Sequence, residues 1–187
     1  DIYGHAVCKI LDTYKDWKGI VIGDEQRDKI VFQHKNLKIL GFLRHEKVLD
    51  ILNKTSIAVA CSRWDEPLGR TSLEASSKGC AVIISNKGGL PETVTNAIIL
   101  KQLSQKNLYD KLRLLIRNSK LRKRYQDLSR KNFFLTHEKS AKEIDNYRNE
   151  LTAKIPRSVF NNSNYDCLKI LHVTNFNERH DGRLFFN

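Results

Sequence analysis

Apolar and polar positions run in blocks along this chain, and the period changes from block to block. Residues 6–14 carry apolar side chains at helical spacing and lead into "GIVIG" at 19–23, a short β-branched run that reads as a buried strand. "LKILGF" at 37–42 predicts a second strand, and 45–53 a helix with Val48, Leu49 and Leu52 on one face. "SIAVACS" at 56–62 is a third buried strand, followed by a helical pattern over 71–78. "AVIIS" at 81–85 is a fourth, ending in the turn "GGLPE" at 88–92, and "AIIL" at 97–100 a fifth. Helices are predicted over 104–131 and 137–152. Continuous apolar strands separated by helices imply a parallel sheet covered on both faces, a doubly wound, Rossmann-like α/β arrangement. In such sheets ligands bind at the carboxyl ends of the strands, where the segments 63–76 and 88–92 both fall.

The last part of the chain breaks the pattern. Residues 153–167 hold Pro, Asn and Ser with little periodicity and read as a linker, and 168–187 begins with the apolar strand "LKILHVTNF" before a polar loop. The division expected is therefore 1–135 for the sheet domain, 136–152 for a helix, 153–167 for the linker and 168–187 for the start of something further. The chain has no methionine, position 1 included, so an excerpt from a longer protein is expected.

Composition narrows the function classes. With 187 residues, 40% hydrophobic and 29% charged, the chain reads as a globular protein with a core of its own. No apolar run nears the ~20 residues that span a bilayer. Cys8, Cys61, Cys80 and Cys167 lie far apart in or beside apolar segments, and buried free thiols in reducing, cytoplasmic surroundings are expected. No zinc spacing is present and no metal site is expected. The formal charge is +12, much of it in 101–131. Solvated basic helix faces account for it, with weak contact to a membrane surface as the alternative and a peripheral location as its consequence. No aromatic platform or Gly-rich RNA motif supports nucleic-acid binding.

The segment "RWDEPLGRTSLEAS" at 63–76 holds the densest chemistry. It bridges a strand and a helix, where the first helical amides lack internal partners and the helix dipole is positive. Backbone amides of Gly69, Arg70 and Thr71 could hold a diphosphate, with Gly69 allowing close approach and Arg63 and Arg70 adding charge. Carboxylates beside a phosphate repel it, so Glu66 and Glu74 make sense if they accept hydrogen bonds from sugar hydroxyls at the two ends of one ligand. A capping box, with Thr71 as the cap and Glu74 three residues on, explains the same spacing. Spacing alone leaves both readings open.

The longer run "SRWDEPLGRTSLEASSKGCAVIISNKGGLPETV" at 62–94 resembles the donor-site signature of retaining GT-B glycosyltransferases, family 4. That family carries two glutamates separated by seven residues, then a G-x-P-V-I strand and a G-G-x-x-E loop. Cys80 and Ala81 stand where the last two residues of G-x-P are usual, a departure. Residues 21–24 match the family's strand-ending I-G-D/E-G position. The resemblance implies a C-terminal GT-B domain that binds a nucleotide diphosphate sugar, UDP- or GDP-linked, and needs no cofactor or metal. It implies that Glu66 contacts the transferred sugar and that amides around Leu68 and Gly69 touch sugar and phosphates. The amides of Arg70 and Thr71 would hold the diphosphate and Glu74 the ribose, while Gly23, Arg63, Gly88 and Gly89 would wall the pocket.

It further implies what the chain lacks. The family's G-R-x-x-x-x-K-G segment and its N-terminal acceptor domain are expected to lie outside this sequence, leaving the excerpt alone inactive. The acceptor would be a sugar, a lipid-linked sugar or a polysaccharide. Residues 168–187 resemble the opening of another GT-B N-terminal domain, as in a tandem enzyme. The rival expectation is a non-catalytic nucleotide-sugar-binding module, and a third is an adaptor working through the basic helices alone.

Overall fold

In the computed structural model, which describes residues 2–23 and 31–154, helices and strands alternate as the apolar blocks do. The first half comprises α1 (Ile2–Thr13), β1 (Gly19–Val21), β2 (Leu37–Ile39), α2 (His45–Asn53), β3 (Ile57–Ala60) and α3 (Arg70–Ser77). The second half comprises β4 (Ala81–Ser85), α4 (Leu90–Thr93), β5 (Ile98–Leu100), α5 (Gln105–Arg117), α6 (Ser119–Lys131) and α7 (His137–Lys154). Every strand pairing is parallel, with β1 beside β2 and β4 between β3 and β5. Among the described residues the five strands thus form two ladders rather than one.

β4 explains why the fold is double-sided. All five of its residues are buried, and successive side chains of a strand point to opposite faces. Ala81 and Ile83 enter a core with Ala6, Val7, Ile10 and Leu11 of α1 and with Leu108, Leu112 and Leu115 of α5. Val82 and Ile84 enter a second core with Leu52 of α2, Ala75 of α3 and Leu90 of α4. Burying each isoleucine contributes about 1.5–3 kcal/mol. The expected doubly wound α/β arrangement is present.

Several expected elements are shorter than predicted or differently built. The strand predicted over 37–42 stops at Ile39, and Gly41 beyond it is left-handed at φ +61°. The turn predicted at 88–92 contains α4, a single helical turn with Pro91 in its first positions, where a missing amide hydrogen costs nothing. The helices expected over 104–131 are present as two, α5 and α6. Ser104 caps α5 through the Asn107 amide at 3.2 Å, and Asn118 caps α6 through the Leu121 amide at 2.9 Å. Asn118 therefore restarts the helix one residue after Arg117.

The chain separates into a first unit, Asp1–Ser140, and a second, Ala141–Asn187. α7 has no buried residue. Asp24, most of the linker predicted at 153–167, and the strand and loop predicted at 168–187 lie outside the described residues.

Candidate functional site

The loop between β3 and α3 and the loop between β4 and α4 are joined by their backbones. Ser85, at the end of β4, accepts the Ser62 amide at its hydroxyl (2.9 Å) and donates to the Ser62 carbonyl (2.9 Å). Further out, the Gly89 amide donates to the Glu66 carbonyl at 2.7 Å. Gly88 is left-handed at φ +50°, and a β-carbon on it would collide with the Glu66 backbone. One on Gly89 would come within 2.5 Å of the Pro67 carbonyl oxygen. These glycines are spacers that let one main chain lie against another. Gly88 and Gly89 thereby set the backbone position of Glu66.

Gly69 holds the corner before α3. It is the residue preceding the helix, left-handed at φ 73° and ψ 56°, and no side chain caps the helix. A β-carbon there would strike the side chain of Leu90, so the second core reaches up to the corner. The Gly69 carbonyl accepts from the amides of Ser72 (3.1 Å) and Leu73 (3.3 Å) and from the Ser72 hydroxyl (2.6 Å). The amides of Arg70 and Thr71 have no partner among the described residues. They are the orphan donors of a helix start, beside the positive end of its dipole.

The capping box is not formed. The helix starts two residues too early for it: Gly69 takes the cap position and Thr71 is already helical. The Glu74 carboxylate turns sideways instead, toward His45 Nε2 at 3.1 Å and the Arg70 guanidinium at 3.6 Å. Glu74 is mostly covered, while His45 and Arg70 are exposed. An ion pair with a partner as exposed as Arg70 adds little stability, so these contacts orient the carboxylate more than they hold the fold.

The structure brings together Glu66, Leu68, Gly69, Arg70, Thr71, Glu74, Gly88 and Gly89 through this pair of loops. Glu66 is half-buried, and Leu68, Arg63, Arg70 and Thr71 are exposed. The Lys87 ammonium lies 3.8 Å from Asp65, a second exposed link between the loops. Gly23, left-handed at φ +114°, donates its amide to the Gly41 carbonyl at 2.8 Å, on the loop that runs on to His45. No hydrogen bond joins Gly23 to the 63–74 segment among the described residues. His45 itself is not apparent from the motif; the only signal is that it opens a helix just past the carboxyl end of β2. Ser72 and Thr93, whose hydroxyls lie 2.9 Å apart, also fasten α4 to α3 without a sequence signal.

Among the described residues no cysteine near the loops is suited to act as a nucleophile. Cys61 follows β3 directly, and burial pushes its thiol up to about 12. Cys8, Cys61 and Cys80 are free, as expected for these three; Cys167 lies outside the described residues. Two broad surface grooves, of 630 and 370 Å³, lie along α5 and α6, away from these loops.

Comparison with known proteins adds independent findings. A family model described as glycosyl transferases group 1 matches residues 5–132. Spore coat protein SA of Bacillus subtilis is 27% identical over 114 residues, which are 59% of this chain and 28% of that protein. The C-terminal domain of the glycosyl transferase group 1 family protein LpcC from Francisella tularensis superposes with a TM-score of 0.62 at 27% identity, over 70% of this chain and 74% of that one. Anabaena HepE, solved in complex with UDP-glucose, shares the fold with a TM-score of 0.58 at 18% identity, over 82% of this chain and 44% of that one. The chain thus spans less than a third of the curated relative's length.

Proposed function

Since this chain belongs to the glycosyl transferases group 1 family, we propose that it is the donor-binding half of a retaining, metal-independent glycosyltransferase of family 4 type. The reaction proposed is transfer of a sugar from a nucleotide diphosphate sugar to an acceptor, with residues 1–135 as the donor domain. One observation carries the reading. Two unpartnered amides, on Arg70 and Thr71, follow a left-handed glycine at the start of α3, in the segment that also carries Glu66 and Glu74.

The chemistry follows from that arrangement. A diphosphate on the two amides meets fixed donors and the positive end of α3, and Gly69 leaves room for it. Arg63 and Arg70 are exposed beside it and supply countercharge. Glu66 faces the sugar, with the amides around Leu68 and Gly69 between sugar and phosphate, and Glu74 takes the ribose hydroxyls with its rotamer steadied by His45. As the glycosidic bond breaks, charge develops on the departing diphosphate, and donors already in place stabilise it without reorganising. The sugar passes through an oxocarbenium-like state, and no protein nucleophile is assigned. The acceptor, a sugar, lipid-linked sugar or polysaccharide, would be held by a separate N-terminal GT-B domain. The UDP-glucose bound by HepE makes UDP the first nucleotide to try and GDP the second.

Titration calorimetry with UDP and GDP tests the assignment. Glu74→Ala is expected to weaken nucleotide binding about 10-fold or more, the loss of hydrogen bonds to a charged acceptor. Glu66→Ala is expected to leave nucleotide affinity nearly unchanged and to slow transfer by the full-length protein. Unchanged affinity in the Glu74 variant overturns the ribose assignment. A full-length protein that binds nucleotide yet releases no nucleoside diphosphate from any donor is a binding module instead.

A further inference from the structure

We propose that the α5–α6 face docks the protein onto an anionic membrane surface. The two grooves along these helices are contiguous, sharing Ser119 and Lys120 in their walls. Arg113 and Arg117 line the first and Lys123 the second. None of these four cations has an ion-pair or hydrogen-bond partner among the described residues, although Asp110 and Asp127 stand in the same walls. Two neighbouring cations are already engaged. Arg122 donates to the carbonyls of Leu115 (2.8 Å) and Ile116 (3.2 Å) and lies 5.0 Å over the Trp17 ring. Arg130 donates to the Lys78 carbonyl at 3.4 Å.

The walls thus carry a local surplus of positive charge, six cations against Asp110 and Asp127. Like charges on adjacent turns repel, and Lys120 adds to this by sitting at the positive end of α6, whose first turn has no acidic residue. An external anion relieves both. The groove is broad and open rather than enclosed, and Leu114, 42% exposed, stands in its wall between Arg113 and Arg117. An exposed apolar side chain in a wall shared with cations matches the headgroup boundary of an anionic leaflet. Among the described residues no aromatic side chain lines either groove to stack against the bases of a single-stranded nucleic acid. No helix among the described residues is long and apolar enough to cross a membrane, so the contact proposed is peripheral.

Co-sedimentation of the full protein with phosphatidylcholine vesicles containing about a third phosphatidylserine tests this, since each cation at such a surface strengthens binding roughly fivefold. Binding is expected to the mixed vesicles and not to phosphatidylcholine alone, and to fall as salt is raised. Replacing Arg113, Arg117, Lys120 and Lys123 together by Gln is expected to weaken it by about two to three orders of magnitude. A charge-matched variant with Gln at Lys38, Lys47, Lys54 and Lys101 is expected to retain it. If the fourfold variant does not fold, the pair Lys120→Glu and Lys123→Glu gives the same reading. The proposal fails if the intact protein ignores the mixed vesicles, if both fourfold variants lose binding equally, or if RNA displaces the protein from them. UDP affinity should be the same in all variants, which separates this result from the fate of the donor-site reading.

Discussion

A side chain at position 88 has nowhere to go. Gly88 is left-handed, and its missing β-carbon is the reason the backbone of Glu66 can lie against it. Gly88→Ala should therefore lower the unfolding free energy by about 1–3 kcal/mol, through backbone strain and forced displacement together. Gly23 is also left-handed, but a β-carbon there would meet nothing within 4 Å among the described residues. Gly23→Ala should cost only the strain, about 1–2 kcal/mol; urea unfolding of the two variants checks the order. Glu66, Gly69, Glu74, Gly88 and Gly89 drew notice in the sequence because they sit in two short segments that together resemble one family signature; spacing alone left the capping-box reading open. His45 was not: it reaches Glu74 from 29 positions away, and a histidine at a helix start has no local mark. Thr71 misled because a capping box demands a hydroxyl at the cap, and here a left-handed glycine fills that place.

Among the elements, β4 is the one that couples site to core. Ile83 faces the α1–α5 core, and Ile84 the core shared by α3 and α4. Truncating either to Ala should cost about 2–5 kcal/mol. Only Ile84→Ala loosens the packing under Gly69 and Leu90, so at matched stability loss it should weaken UDP binding more than Ile83→Ala. Equal effects of the two variants on affinity, measured by calorimetry, would count against this link. The strands were readable because strands buried on both faces are continuously apolar. α4 was not, since four residues make little more than one turn and show no period. The short β1–β2 ladder was over-extended in prediction because apolar residues continue past it: Leu40 and Phe42 are exposed loop residues rather than strand.

At the scale of the whole molecule, burial sets the response to alkaline pH. It raises Tyr3 to about 12, Cys61 to about 12 and Cys80 to about 11, with Arg130 opposing the rise at Cys80. Each group holds its proton more tightly folded than unfolded, so its contribution is complete below the ordinary thiol range near 9 and is lost on the way to 11 and 12. Stability by urea unfolding should fall steadily above pH 9, and Cys61→Ala should flatten part of that slope; a constant value from pH 8 to 11 would contradict the assignment. Sequence carried the sheet domain at this scale, because apolar period reports on burial, whereas the basic face of α5 and α6 became informative only once packing showed which cations were already engaged. The run from Gly88 to Leu90 has one more consequence. It touches Glu66 at one end and Gly69 at the other, so the sugar end and the phosphate end of the proposed ligand share a single wall. Strain applied at either end is then felt at its opposite, and by thermodynamic reciprocity a sugar that tightens the hold on the diphosphate must be tightened by it to the same degree.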